Sequence, residues 1–115
     1  MRNKSINYLE VPSLNLQATK QFFQSVFSWQ FTDYGDAYTA FESLEILGGF
    51  FLSDTPSLTK SGATLIVFYS DDLEACESDV KAAGGEIIKP IFSFPGGRRF
   101  HFCEPGGSEF AVWSE

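Results

Sequence analysis

The most constraining feature of this sequence is an order of elements that occurs twice. Ser5–Val11 (SINYLEV) alternates as a strand does, and Pro12 ends it. Asn15 is a good helix N-cap, and Leu16, Thr19, Phe22, Phe23, Val26 and Phe27 after it share one helical stripe. Trp29–Tyr34, Ala37–Glu42 and Leu44–Ser53 then read as three strands, the first two separated by Gly35-Asp36 and the third holding Gly48-Gly49. Asp54–Gly62 (DTPSLTKSG) is rich in turn residues and is the best linker in the chain. The order then restarts. Ala63–Ser70 is a β-branched and aromatic strand. Asp71 or Asp72 caps a helix with the stripe Leu73, Cys76, Val80 and Ala83, Glu74 being placed to complete a capping box from Asp71. Gly84-Gly85 stops that helix, and Glu86–Phe92 is a strand that Pro90 marks as an edge or a bulge. A hairpin closes the chain: Arg99–Glu104 and Glu109–Ser114 flank the turn Pro105-Gly106-Gly107-Ser108, and Pro95-Gly96-Gly97 marks its entry.

Each half thus reads strand, helix, strand, strand, strand. One such βαβββ unit leaves a sheet face bare, so two units should pair. The expected fold is α+β, two βαβββ modules forming a curved, cup-like mixed sheet with the helices on its outer face. One domain spans residues 1–115, with module 1 at about 5–53, the linker at 54–62 and module 2 at about 63–115.

Charge and composition narrow the partners. With a net charge of −7, the chain is repelled by phosphate backbones, and it has no Lys/Arg run, so neither nucleic acid nor an anionic membrane is an expected partner. A cationic small molecule would be attracted. Thirteen Phe, four Tyr and two Trp bring the aromatics to 17%, enough to fill a core and also to line an apolar pocket or cover a dimer interface. Cys76 and Cys103 make no disulfide framework and no metal-binding pattern. No stretch has the character of a secretory leader or membrane span, and a cytoplasmic protein with reduced thiols is expected.

The closing hairpin sorts its side chains by face. Phe100, Phe102, Phe110 and Val112 form a purely apolar side that a helix can cover. Arg99, His101 and Cys103 lie on the other side with Glu109, Ala111 and Trp113. Covering Arg99 and His101 with a helix would cost several kcal/mol unless both found partners, so the mixed side is where a ligand is expected. His101, the only histidine, is a ligand contact or a proton carrier near neutral pH; the bland alternative is a half-buried strand histidine bonded to a neighbour. Cys103 has no clear base beside it, and Cys76 belongs to a helix's apolar stripe, so neither reads as a nucleophile.

Three passages together resemble the vicinal oxygen chelate superfamily of glyoxalase I, extradiol dioxygenases and bleomycin-resistance proteins. They are INYLEVP with NLQATKQFFQSVFSWQF, the SDDLEACESDVKAAGGEI helix passage, and PGGRRFHFCEPGGSEFAVW, which is similar to the superfamily's closing pattern with Ser108 where Asn is usual. In metal-dependent members four positions on the first and last strands of the modules hold ligands. The resemblance carries those positions onto Tyr8, Gly48, Leu65 and Ala111, none of which is His, Asp or Glu. It therefore implies a protein with no metal and no cofactor, and leaves any catalytic residue unidentified. A ligand site in the cup would be formed by Tyr8, Gly48, Phe50, Arg99, His101 and Trp113.

The expected function is binding of a small organic molecule by a homodimer. Whether the chain is an enzyme stays open at this point. Two alternatives accompany that reading: a metal-dependent lyase, isomerase or dioxygenase whose ligands lie elsewhere, and a protein-interaction module without a ligand, since fold does not dictate function.

Overall fold

A computed structural model describes residues 1–115. In the first half β1 (Tyr8–Ser13) leads into α1 (Leu16–Phe27), followed by β2 (Gln30–Asp33), β3 (Tyr38–Glu42) and β4 (Leu47–Leu52). In the second half β5 (Ile66–Tyr69) leads into α2 (Leu73–Ala82), then β6 (Glu86–Phe94), β7 (Gly97–Cys103) and β8 (Glu109–Ser114). The two strand–helix–strand–strand–strand runs are both present. Each builds a four-stranded mixed sheet, in the orders β1-β4-β3-β2 and β5-β8-β7-β6. In each sheet the first strand pairs in parallel with the last, because the intervening helix and meander bring the chain back alongside its start.

The helix ends follow local chemistry. Asn15 Oδ1 accepts the Ala18 N–H at 3.1 Å, and Asp72 Oδ1 accepts the Ala75 N–H at 3.1 Å. Asp72 is therefore the cap of α2. Glu74 closes no capping box from Asp71; its carboxylate is forked onto Arg98 of β7 instead. β6 is an edge strand of its sheet, and its pairing with β7 shifts register between Ile87 and Lys89 and again between Lys89 and Phe92, around Pro90. A proline with no N–H to give a ladder is tolerated at such a place.

Both sheets turn one face to a single core. Phe23 of α1 is fully buried, with Phe50 of β4 at 5.3 Å and Phe110 of β8 at 5.2 Å between ring centroids. Phe22 beside it reaches Phe102 of β7 at 5.5 Å. One helix of the first half thus fills space between the two sheets. Truncating such an aromatic to alanine typically costs about 3–5 kcal/mol. The expected apolar face of the hairpin is there: Phe100, Phe102, Phe110 and Val112 are all at most 1% exposed.

A buried polar junction ties the closing hairpin to the start of the chain. Glu104 accepts the Thr19 hydroxyl at 2.7 Å and the Gly106 and Ser108 N–H groups at 2.6 and 3.3 Å. The Ser108 hydroxyl donates to the Pro12 carbonyl at 2.7 Å, and the Leu14 N–H to the Gly106 carbonyl at 2.8 Å. A Cβ on Gly106 would run into Thr19, Ser13 and Glu104, so the turn can approach this closely only through glycine. Burial pushes the Glu104 carboxyl up, with the hydrogen bonds from Thr19, Gly106 and Ser108 acting against it.

Candidate functional site

Strand alternation leaves each sheet a second face turned away from the shared core. On the first sheet that open face carries Tyr8, Glu10, Tyr38, Leu47, Gly49 and Phe51, as the β1–β4 and β3–β4 register requires. On the second it carries Val67, Tyr69, Arg99, His101, Glu109 and Trp113.

The second open face holds a chain of polar groups. Arg99 Nε and Nη2 lie 3.2 and 2.9 Å from His101 Nε2. A guanidinium only donates, so Nε2 must be the acceptor and His101 is the neutral tautomer with its proton on Nδ1. That proton is directed at Glu109 Oε2, 2.8 Å away. Glu109 in turn accepts the N–H of Thr59 at 2.8 Å and its hydroxyl at 3.0 Å, from the single 3₁₀ turn Thr59–Ser61 between β4 and β5. Burial disfavours the Glu109 charge, but the hydrogen bonds from His101 and Thr59 outweigh it and hold the carboxyl below its ordinary range. His101 is 2% exposed and fully partnered, so its ring orients Arg99 and has no free lone pair for a proton.

Arg99 is half-buried, its guanidinium 5.7 Å from the ring centroids of both Phe92 and Phe94. Trp113 stands beside it, 6.2 Å from Phe94 and 5.1 Å from Tyr69. The outer edge of the guanidinium, Nη1 with the second hydrogen of Nη2, stays available for a forked contact with a carboxylate. Cys103 shares this face, but burial first, then the Glu109, Glu86 and Glu104 charges, push its thiol up to about 11. It remains a protonated, weakly reactive thiol. Burial likewise raises Cys76 to about 11, and both cysteines are free.

The first open face carries a smaller polar group. The Tyr38 hydroxyl donates to Glu10 Oε2 at 3.0 Å and lies 2.6 Å from the Tyr8 hydroxyl. Tyr38 has one proton and gives it to Glu10, so Tyr8 donates to Tyr38. Burial, with Tyr8 and Glu10 adding to it, pushes the Tyr38 phenol well above its usual range and keeps it protonated.

Of the six residues expected at the site, Arg99, His101 and Trp113 come together on one open face, and Tyr8 lies on that of the other sheet. Gly48 and Phe50 are corrected. Gly48 pairs with Leu9 and Phe41, and Phe50 with Val11 and Thr39, on the side that faces α1; Phe50 is fully buried against Phe23. Their neighbours Gly49 and Phe51 occupy the open face. The cause is the two-residue period of a strand: a register error of one residue exchanges the faces completely. Glu109, Phe92, Phe94, Glu10 and Tyr38 join the two clusters without having been singled out. Alternation already put Glu109 on the face of His101, but its contact with that ring depends on the β7–β8 register.

A mixed βαβββ pair with open faces of this kind defines a family of folds before any relative is considered. The chain belongs to the glyoxalase/bleomycin resistance protein/dioxygenase superfamily, whose family model matches residues 5–112. It is similar to the anthracycline biosynthesis protein DnrV of Streptomyces peucetius, with 29% identity over 92% of this chain; it spans 45% of that longer relative. Among solved structures, a glyoxalase-related enzyme from Fulvimarina pelagi shares its fold, with a TM-score of 0.78, 15% identity, and coverage of 97% of this chain and 88% of that one. So does a variant of the fosfomycin resistance protein FosX from Listeria monocytogenes complexed with Mn(II) and dihydroxypropylphosphonic acid. That match has a TM-score of 0.78, 17% identity, and coverage of 99% of this chain and 91% of that one.

The residues here do not fit a divalent metal of the kind FosX holds. No group of three or more His, Cys, Asp or Glu side chains is arranged to bind one. The only imidazole has its Nδ1 proton on Glu109 and its Nε2 lone pair against Arg99, so a metal ion at Nε2 would have to displace a permanent cation 2.9 Å away. Tyr8 and Ala111 occupy open-face positions, and of the two only the phenol offers an oxygen.

Proposed function

We propose that this chain is a metal-free member of the superfamily that binds a small organic molecule on the open face of its second sheet. The observation that carries the reading is Arg99, held by the His101–Glu109–Thr59 chain and set between Phe92, Phe94 and Trp113. The orienting hydrogen bonds from Nε and Nη2 to His101 leave Nη1 and the second Nη2 hydrogen as a fork for two oxygens, while the rings supply apolar surface for a flat body. A planar molecule with a carboxylate or carbonyl suits both. The reading is one of binding, since no nucleophile or free general base stands beside the guanidinium.

One chain presents two open faces. Large apolar side chains remain exposed on both: Leu47 at 47% and Phe51 at 39% on the first, Tyr69 at 51% and Val67 at 41% on the second. A homodimer in which a second copy covers these faces would bury them and turn the open surface into a cavity. The charge of −7 disfavours nucleic acid as a partner. No helix is long and apolar enough to cross a membrane. Two free thiols are compatible with a reducing compartment, and the cytoplasm is the proposed location.

Anthracenecarboxylate is a suitable probe, read by fluorescence anisotropy. We expect saturable binding that Arg99→Ala weakens at least tenfold and Arg99→Lys restores only in part, because an ammonium lacks the fork. Binding untouched by Arg99→Ala would refute the assignment.

A further inference from the structure

The seam between the two sheets contains a cavity of about 830 Å³ that borders the second open face at Val67 and Tyr69 but is not lined by Arg99, His101 or Trp113. Its walls come from both halves: Leu9 of β1, Phe27 and Trp29 at the end of α1, Phe41 of β3, and Ile66 and Phe68 of β5. The rings are ordered in stacked pairs, Trp29 on Phe41 with centroids 4.2 Å apart and Phe27 on Phe68 also at 4.2 Å. All four successive residues of β5 border the cavity. Successive strand residues point to opposite faces, so they can share one cavity only if it runs along the strand's free edge. β5 is indeed at the end of its sheet, as β1 is at the end of the other.

Charge selects the ligand. The only charged groups around the cavity are the carboxylates of Glu42 and Glu45 at its rim, and both residues are exposed. No Lys or Arg lines it. Neither carboxylate has an ion-pair partner in the chain. The size is that of a drug-sized site, the aromatic walls favour a flat body, and carboxylates beside aromatic faces favour a positive charge. We propose that this seam is a second binding site, for a planar aromatic cation. It takes the opposite charge from the Arg99 face and does not depend on that assignment. The net charge of −7 draws a cation toward the protein, and the rim gives it a place to stop.

The test uses aminoacridine, a planar monocation at neutral pH, with anthracenecarboxylate as an anion of the same size. In a Trp113→Phe protein the only remaining indole is Trp29, in the cavity wall, and its emission reports occupancy directly. We expect aminoacridine to quench Trp29 saturably, and the Glu42→Gln, Glu45→Gln double variant to bind it about tenfold more weakly with less dependence on salt. Both positions are exposed, so the variant should fold normally. Arg99→Ala should leave aminoacridine binding unchanged. The proposal is overturned by an absence of saturable quenching, by equal binding of the anion at this cavity, or by a double variant that binds as tightly as the parent. Loss of aminoacridine binding in step with self-association on dilution series would also overturn it, because a second copy would then be the occupant of the seam.

Discussion

Two buried glutamates five residues apart have their carboxyls shifted in opposite directions, and the difference is set by what surrounds each oxygen. Glu109 has three donors on its carboxylate and is held below its ordinary range; Glu104 also has three, yet burial prevails and raises it. A carboxyl depressed on folding adds stability above its unfolded value of roughly 4.3, and that stability is lost as pH falls through the folded value. A raised carboxyl does the reverse: its contribution is full below about 4.3 and disappears as pH rises toward the folded value. Glu109→Gln should therefore flatten the acid side of the stability profile, and Glu104→Gln the decline toward neutral pH. Urea unfolding at intervals from about pH 3 to pH 8 separates the two. A Glu104→Gln profile parallel to the parent's would show that this carboxyl does not titrate on folding. Removing the acceptor altogether is a harsher change, because Glu104→Ala orphans the Gly106 and Ser108 N–H groups at a cost of about 2–4 kcal/mol, while the Thr19 hydroxyl keeps Ser13 as a partner.

At the scale of elements, the ends of α1 are matched unequally to their sequence. Asn15 caps the start as its residue type suggests, and Asn15→Ala should cost about 1 kcal/mol, while Asp71→Ala, which removes no cap, should cost almost nothing. The other end stops at Ser28, whose φ of 59° is left-handed backbone that a serine adopts at a penalty. Ser28→Gly should raise stability by about 0.5–1 kcal/mol, read as a higher urea midpoint with unchanged slope. An unchanged midpoint would mean that the serine side chain compensates in the folded state. The sheets are less forgiving. A Cβ at Gly48 would meet the Leu9 carbonyl and the Phe41 ring, and one at Gly49 would meet the Tyr38 phenol. The double glycine is therefore required on both faces, for close packing on one and for the Tyr8–Tyr38–Glu10 cluster on the other.

For the whole molecule, one core joins two sheets whose other faces remain uncovered. Light scattering should give twice the 12.8 kDa chain mass at micromolar concentrations, and Phe51→Lys with Tyr69→Lys should return it to the single-chain mass. A parent protein of single-chain mass would remove the cavity-closing role given to the second copy. Elemental analysis of the purified protein should find no stoichiometric divalent metal, since the one imidazole is engaged by Arg99 and Glu109. One metal per chain retained through chelation would contradict the donor-set argument.

The local rules settled much of this protein. The alternation of the hairpin assigned Phe100, Phe102, Phe110 and Val112 to a covered side and Arg99, His101 and Trp113 to an open one, because a strand's period depends on no other part of the chain. Asn15 announced α1, Pro90 announced an irregular edge strand, and the recurring order of elements announced two like βαβββ modules. Tertiary structure decided what required a second strand or a distant segment. The face of Gly48 and Phe50 depended on a register that one residue inverts, and the state of His101 depended on Glu109 across the hairpin. Thr59 reached the same carboxylate from a linker fifty positions away in the chain. The seam between β1 and β5 is the furthest from the sequence. Its walls come from five separate stretches, each of which reads locally as core, and only their packing leaves a cavity where their rings meet.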